Sequence, residues 1–298
     1  MRVQGRGRGE GLGLSVRGEQ AEKSERKTEK ETKDRGGNIY FRQLLPAQDV
    51  ATFAKTQIEQ LIFNVAGMMK NCMYLVGDAT TKECVVVDGC WDTAAIERIA
   101  QEDGMKIIAA VATHYHFDHV GGTPPAPLHE IGIKIPGLFD LLQPEGRKGF
   151  IHESEKPKAL QICGITDDGS LLGVSDGHKV KISDDVSLEF IHTPGHSPGS
   201  CCLLVSEKGG QDAFLLSGDT IFPGSHGRVD LPESDPEAMY TSPGVRKLLT
   251  LRPDLKIFPG HSYGGKVTTV QKERDVGLLS QLEVGDGEGE KQKIRSNI

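Results

Sequence analysis

The chain has 298 residues, 37% of them hydrophobic, and a formal net charge of -7. That length can bury one large core, with or without tails. The acidic balance argues against general electrostatic attachment to nucleic acid or an anionic membrane, and no stretch approaches the roughly 20 apolar residues of a spanning helix.

Residues 1–38 differ in kind from the rest of the chain. Glycine alternates with charge up to Gly13, and a Glu/Lys/Arg/Thr run without apolar periodicity continues to Arg35. Such a segment cannot offset its ordering entropy by burial, so disorder is expected. Its glutamates are too many for a transit peptide, which favours the cytoplasm. Next come a helix over 48–60, a hairpin of strands 72–76 and 84–88, a helix over 93–103 capped by Asp92, and a buried strand over 107–112.

That strand leads into His114-Tyr115-His116-Phe117-Asp118-His119, where four of six residues can bind a metal. On an extended chain His114 and His116 leave the same face and can converge on one ion. Asp118 and His119 are adjacent, so the chain must turn after His116; Gly121-Gly122 gives it the freedom to do so.

Residues 123–187 hold a proline-rich start, a helix over 137–142, a strand over 150–152, a helical patch over 153–163 and a turn at Ser175-Asp176-Gly177. This insert joins ligand-rich segments and is expected to overhang them. His129, His152 and His178 within it lack a strand-glycine context and read as surface or packing residues.

Three further apolar runs stop at a possible ligand. Residues 188–191 lead into Thr193-Pro194-Gly195-His196-Ser197-Pro198-Gly199, residues 213–216 into Ser217-Gly218-Asp219-Thr220, and residues 255–258 into Pro259-Gly260-His261-Ser262-Tyr263-Gly264. A helix over 267–282 and a polar tail over 285–298 end the chain. The six cysteines form no Cys-x-x-Cys pair, which points to a reducing compartment. Cys201 and Cys202 read as core residues on a strand rather than thiolate ligands.

The four ligand-bearing blocks, in this order over roughly residues 65–272, resemble the metallo-β-lactamase superfamily and within it the glyoxalase II-like hydrolases. The resemblance implies an α/β fold, a four-layer αββα sandwich, with residues 39–284 as the catalytic domain. It implies that His114, His116 and His196 hold one metal, that Asp118, His119 and His261 hold a second, and that Asp219 bridges them. Two zinc ions are expected, although imidazole and carboxylate also suit iron or manganese. Such a pair shares a hydroxide, available near pH 7, that Asp118 would orient toward a carbonyl. Tyr263 and Ser197 are expected to contact substrate. Arg228 and Asp230, in Gly227-Arg228-Val229-Asp230, match a stretch of the family's short members, and Arg228 is expected to fix the direction of ligating carboxylates, against the alternative of a surface ion pair.

Glyoxalase II proper adds a helical C-terminal domain that grips glutathione, whereas 37 residues follow His261 here. The expectation is therefore a short thioester hydrolase for a small molecule, with a glutathione conjugate as candidate. The family also offers a persulfide dioxygenase with one Fe2+ at His114, His196 and Asp219, and a lactonase or β-lactamase; by the same analogy a mitochondrial location is the alternative to the cytoplasm. No basic, aromatic-interleaved arm for nucleic acid is visible.

Overall fold

The computed structural model describes residues 38–143 and 146–283. Apart from Asn38, the expected tails 1–38 and 285–298 lie outside the described residues. Two six-stranded sheets dominate. In the first, β1 (Ile39–Leu44), β2 (Met73–Asp78), β3 (Glu83–Val87), β4 (Lys106–Val111), β5 (Lys148–His152) and β6 (Leu171–Val174) lie side by side in chain order. β1 to β3 are antiparallel and β3 to β6 parallel. The second holds β7 (Lys179–Lys181), β8 (Ser187–His192), β9 (Cys201–Glu207), β10 (Gln211–Gly218), β11 (Lys256–Pro259) and β12 (Thr268–Thr269), antiparallel except for the β10–β11 pair.

Central strands such as β3 and β9 read as nearly unbroken apolar runs because of their place. Successive side chains point to opposite faces, and here both faces are covered. Val85, Val87 and Val111 pack against Leu188, Phe190, Leu203 and Leu216 between the sheets. Their neighbours Cys84, Val86 and Ala110 face an outer layer with Trp91, Ile96 and Leu141. That layer is built from α1 (Gln57–Met69), α2 (Thr93–Glu102), α3 (Phe117–Val120), α4 (Leu138–Leu142) and α5 (Lys156–Cys163). On the far side α6 (Pro236–Thr241), α7 (Pro243–Lys247), α8 (Val270–Val276) and α9 (Leu278–Glu283) cover Leu204, Leu215 and Ile257. The result is the αββα sandwich, with each buried aliphatic side chain contributing about 1.5–3 kcal/mol. Cys201 lies between the sheets and Cys202 under the helices, as their adjacency on β9 requires.

Two expected elements need correction. The helix expected over 48–60 is α1, which begins where Thr56 and Glu59 form a capping box: Thr56 Oγ1 accepts from Glu59 N, and the Glu59 carboxylate accepts from Thr56 N. Ala47 and Ala51, with φ of 61° and 53°, exclude a helix before it. The single helix expected over 267–282 is β12, α8 and α9. Thr269 caps α8 by accepting from Lys272 N, and the chain breaks at Gly277, where a side chain would collide with the Glu273 carboxylate. Within 123–187 the strands β5, β6 and β7 belong to the sheets.

Candidate metal centre

The ligand blocks sit beyond strand ends, at one end of the sandwich. β4 delivers Thr113 and His114; His116 then stands at the N-cap of α3, whose single turn carries Asp118 and His119. Gly121, with φ of 79°, ends that turn, and a Cβ there would come within 2.6 Å of Ile135 O. From the second sheet, β8 leads to His196, β10 to Asp219 and β11 to His261. Gly260 lies against Asp219 so closely that any side chain would strike its carboxylate. Backbone bonds tie the halves at this end: Cys201 N donates to Thr113 O (3.0 Å) and Cys72 N to Gly260 O (2.7 Å).

All seven expected ligands converge. His116 Nδ1 lies 3.1 Å from His114 Nε2 and 3.0 Å from His196 Nε2. In the second group, His261 Nε2 lies 3.3 Å from both His119 Nε2 and Asp118 Oδ2. Asp219 stands between the groups, with Oδ2 3.4 Å from His196 and His261 Nε2 and Oδ1 3.5 Å from His119 Nε2. These separations match the edges of a coordination tetrahedron with bonds of about 2.0–2.2 Å.

The outward ring atoms decide what the inward ones can do. His119 Nδ1 donates to Asp88 Oδ2 (3.0 Å), His196 Nδ1 to Arg228 O (2.7 Å) and His261 Nδ1 to Met69 O (2.7 Å). His114 Nδ1 faces Thr113 Oγ1 at 3.1 Å, while that hydroxyl donates to Asp88 Oδ2 (2.7 Å). With the proton on Nδ1, each Nε2 turns a lone pair inward, the arrangement metal-binding histidines adopt. Asp219 Oδ1 is buried without a hydrogen-bond partner. In that tautomer the lone pairs converge beside an orphaned carboxylate oxygen with no proton to share among them, so the cluster calls for cations or for added protons.

Charge balance agrees. Burial and the imidazoles of His119, His116 and His196 push His114 well down, and burial with His196 takes His116 to about 4, so both are neutral at pH 7. Burial opposes ionisation of Asp118, but His119, His261 and Asn71 hold it well below the usual carboxylate range; His261, His119 and His196 do the same for Asp219. Against burial, Asp219, Asp118 and Asp88 raise His119 to about 9, and Asp219 and Asp118 raise His261. Protons on these two rings stand where cations would displace them.

The other expected contacts fall differently. The Arg228 guanidinium pairs with Asp230 at the surface (2.8 Å), with the two side chains 69% and 64% exposed, and reaches no ligating carboxylate. What holds His196 is the Arg228 carbonyl. Ser197 is buried, its Oγ 2.7 Å from Ser200 Oγ, so it faces its own loop. Tyr263 is half-exposed and stacks on His261, with ring centroids 4.8 Å apart and planes 7° apart, beside the edge of Phe222. His152 stacks on His192 and His178 on Phe150, while His129 is exposed.

Three site residues escaped the sequence reading. Asp88, 2% exposed, accepts from Thr113 N (2.8 Å) as well as from Thr113 Oγ1 and His119. It ends an apolar run before Gly89, as the expected ligands follow theirs. Glu155, fully buried, accepts from Tyr115 N (2.7 Å) and Gly199 N (2.6 Å), fastening the His114–His119 loop to the His196 loop. Asn71 reaches Asp118 Oδ2 at 3.1 Å. Neither Glu155 nor Asn71 has a local signal, since their partners are about twenty or more residues away.

Seven histidine and aspartate donors that converge at one end of such a sandwich make a candidate metal centre. The family model for the metallo-beta-lactamase superfamily matches residues 66–261, and the chain belongs to that superfamily. It is 30% identical over 218 residues to the hydroxyacylglutathione hydrolase GloC of Haemophilus influenzae, covering 72% of this chain and 93% of that protein. It is also 29% identical over 203 residues to the human mitochondrial persulfide dioxygenase ETHE1, covering 67% of this chain and 68% of that one. Among solved structures, TTHA1623 in a di-iron-bound form aligns with a TM-score of 0.52 at 25% identity, covering 71% of this chain and 96% of that one. Among the described residues no helix is long and apolar enough to cross a membrane.

Proposed function

We propose that the chain is a binuclear metallohydrolase that cleaves a thioester of a small molecule, with a hydroxyacyl conjugate of glutathione as the leading candidate. The observation that carries this reading is the completeness of the second donor set. Asp118, His119 and His261 are as buried and as firmly oriented as His114, His116 and His196. A dioxygenase with one iron would need only His114, His196 and Asp219, and would leave a buried carboxylate and two buried imidazoles without a task, a costly arrangement to retain.

When bound, a pair of zinc ions supplies water acidified to a pKa of about 7 and polarises a carbonyl. The protein contributes the rest. Asp118, ionised and held by Asn71, can accept a hydrogen bond from an attacking water. Tyr263 and Phe222 offer an apolar wall beside His261 for one side of the ester. The likeness to a hydroxyacylglutathione hydrolase over most of both chains supports the substrate class. A cytoplasmic location belongs to the same proposal, supported by six cysteines that are all unpaired and buried.

The test joins metal analysis to two assays. Protein purified without added metal should carry two ions per chain, release thiol from a lactoylglutathione-type thioester, and consume no oxygen with glutathione persulfide. His119→Ala should keep one ion and lose most hydrolysis. One iron per chain with oxygen uptake would establish the dioxygenase instead.

A further inference from the structure

Asn71 stands between α1 and β2, 1% exposed. Its amide Nδ2 lies 3.1 Å from Asp118 Oδ2, 3.4 Å from His261 Nε2 and 3.5 Å from His119 Nε2. Those three donors form a triangle with sides of 3.3, 3.3 and 3.7 Å. The centre of such a triangle is about 2.0 Å from each corner, which is one zinc-ligand bond length. The Asn71 amide covers one face of that triangle.

Which end of the amide faces the triangle is decided by Trp91. Its Nε1–H can only donate, and Asn71 Oδ1 accepts it at 3.1 Å, which leaves the NH2 end turned toward the three ligands. Trp91 cannot easily swing away, being 1% exposed and edge-on to Phe117 with centroids 6.0 Å apart. An amide NH2 donates hydrogen bonds and offers no lone pair to a metal. One face of the second triad is thus closed by a group that cannot serve as a ligand.

We infer that Asn71, locked by Trp91, limits the coordination number of the second ion and so selects zinc, which accepts four or five ligands, over ions such as manganese that take six. This rests on the two-ion reading above. It assigns metal selectivity to an uncharged side chain that binds no metal.

The test uses the full chain, stripped with a chelator and titrated with Co2+, Zn2+ or Mn2+ alone, as wild type, Asn71→Ala, Asn71→Asp and Trp91→Phe. In the wild type the second equivalent of cobalt should give the intense visible bands of a four- or five-coordinate ion. Asn71→Ala opens the face to water, so those bands should weaken severalfold and the zinc-over-manganese preference of the second site should fall by about tenfold or more. Asn71→Asp places a carboxylate oxygen where the NH2 stood, and should tighten manganese at that site. Trp91→Phe frees the amide to turn its oxygen inward, and should shift the preference the same way while leaving Asn71 in place. A merely structural role would weaken both ions alike in all variants, without a change of sign for Asp, and that result overturns the inference. So do two bound ions with bands and preference unchanged, although the two-ion reading then stands. One ion in the wild type removes that reading, and the inference with it.

Discussion

Replacing Asp88 by asparagine separates the orientation of a ligand from its presence. The carboxylate is buried, and it receives Thr113 N at 2.8 Å, Thr113 Oγ1 at 2.7 Å and His119 Nδ1 at 3.0 Å. An asparagine of the same shape can still accept from Thr113 N through its oxygen, and its NH2 can donate to the Thr113 hydroxyl. That NH2 also faces His119 Nδ1, where two donors now meet. The conflict is relieved if the imidazole moves its proton to Nε2, the atom turned toward Asp118 and His261, which removes the lone pair that would bind the second ion. Loss of such an outer partner lowers metal affinity about 10- to 100-fold, or about 1.4–2.7 kcal/mol. Folding should lose about 1.5–3 kcal/mol, the net worth of one hydrogen bond to a charged group. Competition with a chromophoric zinc chelator reads the first quantity and urea unfolding of metal-free protein the second. A second-site affinity within twofold of wild type would refute the tautomer argument.

Other perturbations probe the remaining supports. The metal-free protein should be most stable near pH 6.5. His119, raised to about 9, contributes stability that is full below the ordinary histidine value and is lost as pH rises toward 9; His116, lowered to about 4, contributes stability that is lost as pH falls from 6.5 toward 4. Urea midpoints at pH 5, 6.5 and 9 with chelator present should trace this maximum, and a monotonic trend would contradict it. Glu155→Ala leaves the Tyr115 and Gly199 N–H groups buried without acceptors, at about 1–3 kcal/mol each. Chemical denaturation should therefore show a loss of several kcal/mol, and a change below about 0.5 kcal/mol would show that water or a neighbour replaces the carboxylate. Tyr263→Ala should raise KM for the thioester with both ions retained; a variant with unchanged kinetics would take Tyr263 out of the substrate wall.

Much of this candidate site was legible because its expected ligands obey a local rule. Each of His114, His196, Asp219 and His261 follows an apolar run that becomes a strand buried on both faces, so the run marks the element and the next polar residues mark its end. Asp88 obeyed the same rule, yet as an inner support for His119 it belongs to no ligand block. Arg228 illustrates the limit: its side chain drew attention by its charge, while the structure uses its carbonyl, an atom every residue possesses. The helix boundaries failed for a related reason. Apolar spacing near residues 48–60 continues through Leu61, Ile62, Val65 and Ala66, and the choice of turn rests on the Thr56–Glu59 capping box rather than on periodicity. Asn71 and Trp91 could not be found from spacing, since their meeting with Asp118 depends on how α1, the β3–α2 connection and α3 close around one another.

The division of donors between the sheets carries a last consequence. The first triad takes His114 and His116 from the loop after β4 and His196 from the loop after β8; the second takes Asp118 and His119 from α3 and His261 from the end of β11. Each ion would join one half of the sandwich to the other, at an end where few backbone bonds cross. Ions that bind only the folded arrangement stabilise it by mass action, about 4 kcal/mol for each site when free metal exceeds its dissociation constant a thousandfold. Chelation should lower the urea midpoint accordingly. Hydrogen exchange should then rise together in the loops around residues 113–122 and 193–200, because neither half keeps its anchor when the other is released. If chelation loosens one loop and leaves the other protected, the ions do not fasten the sheets to each other and the shared-centre geometry is wrong.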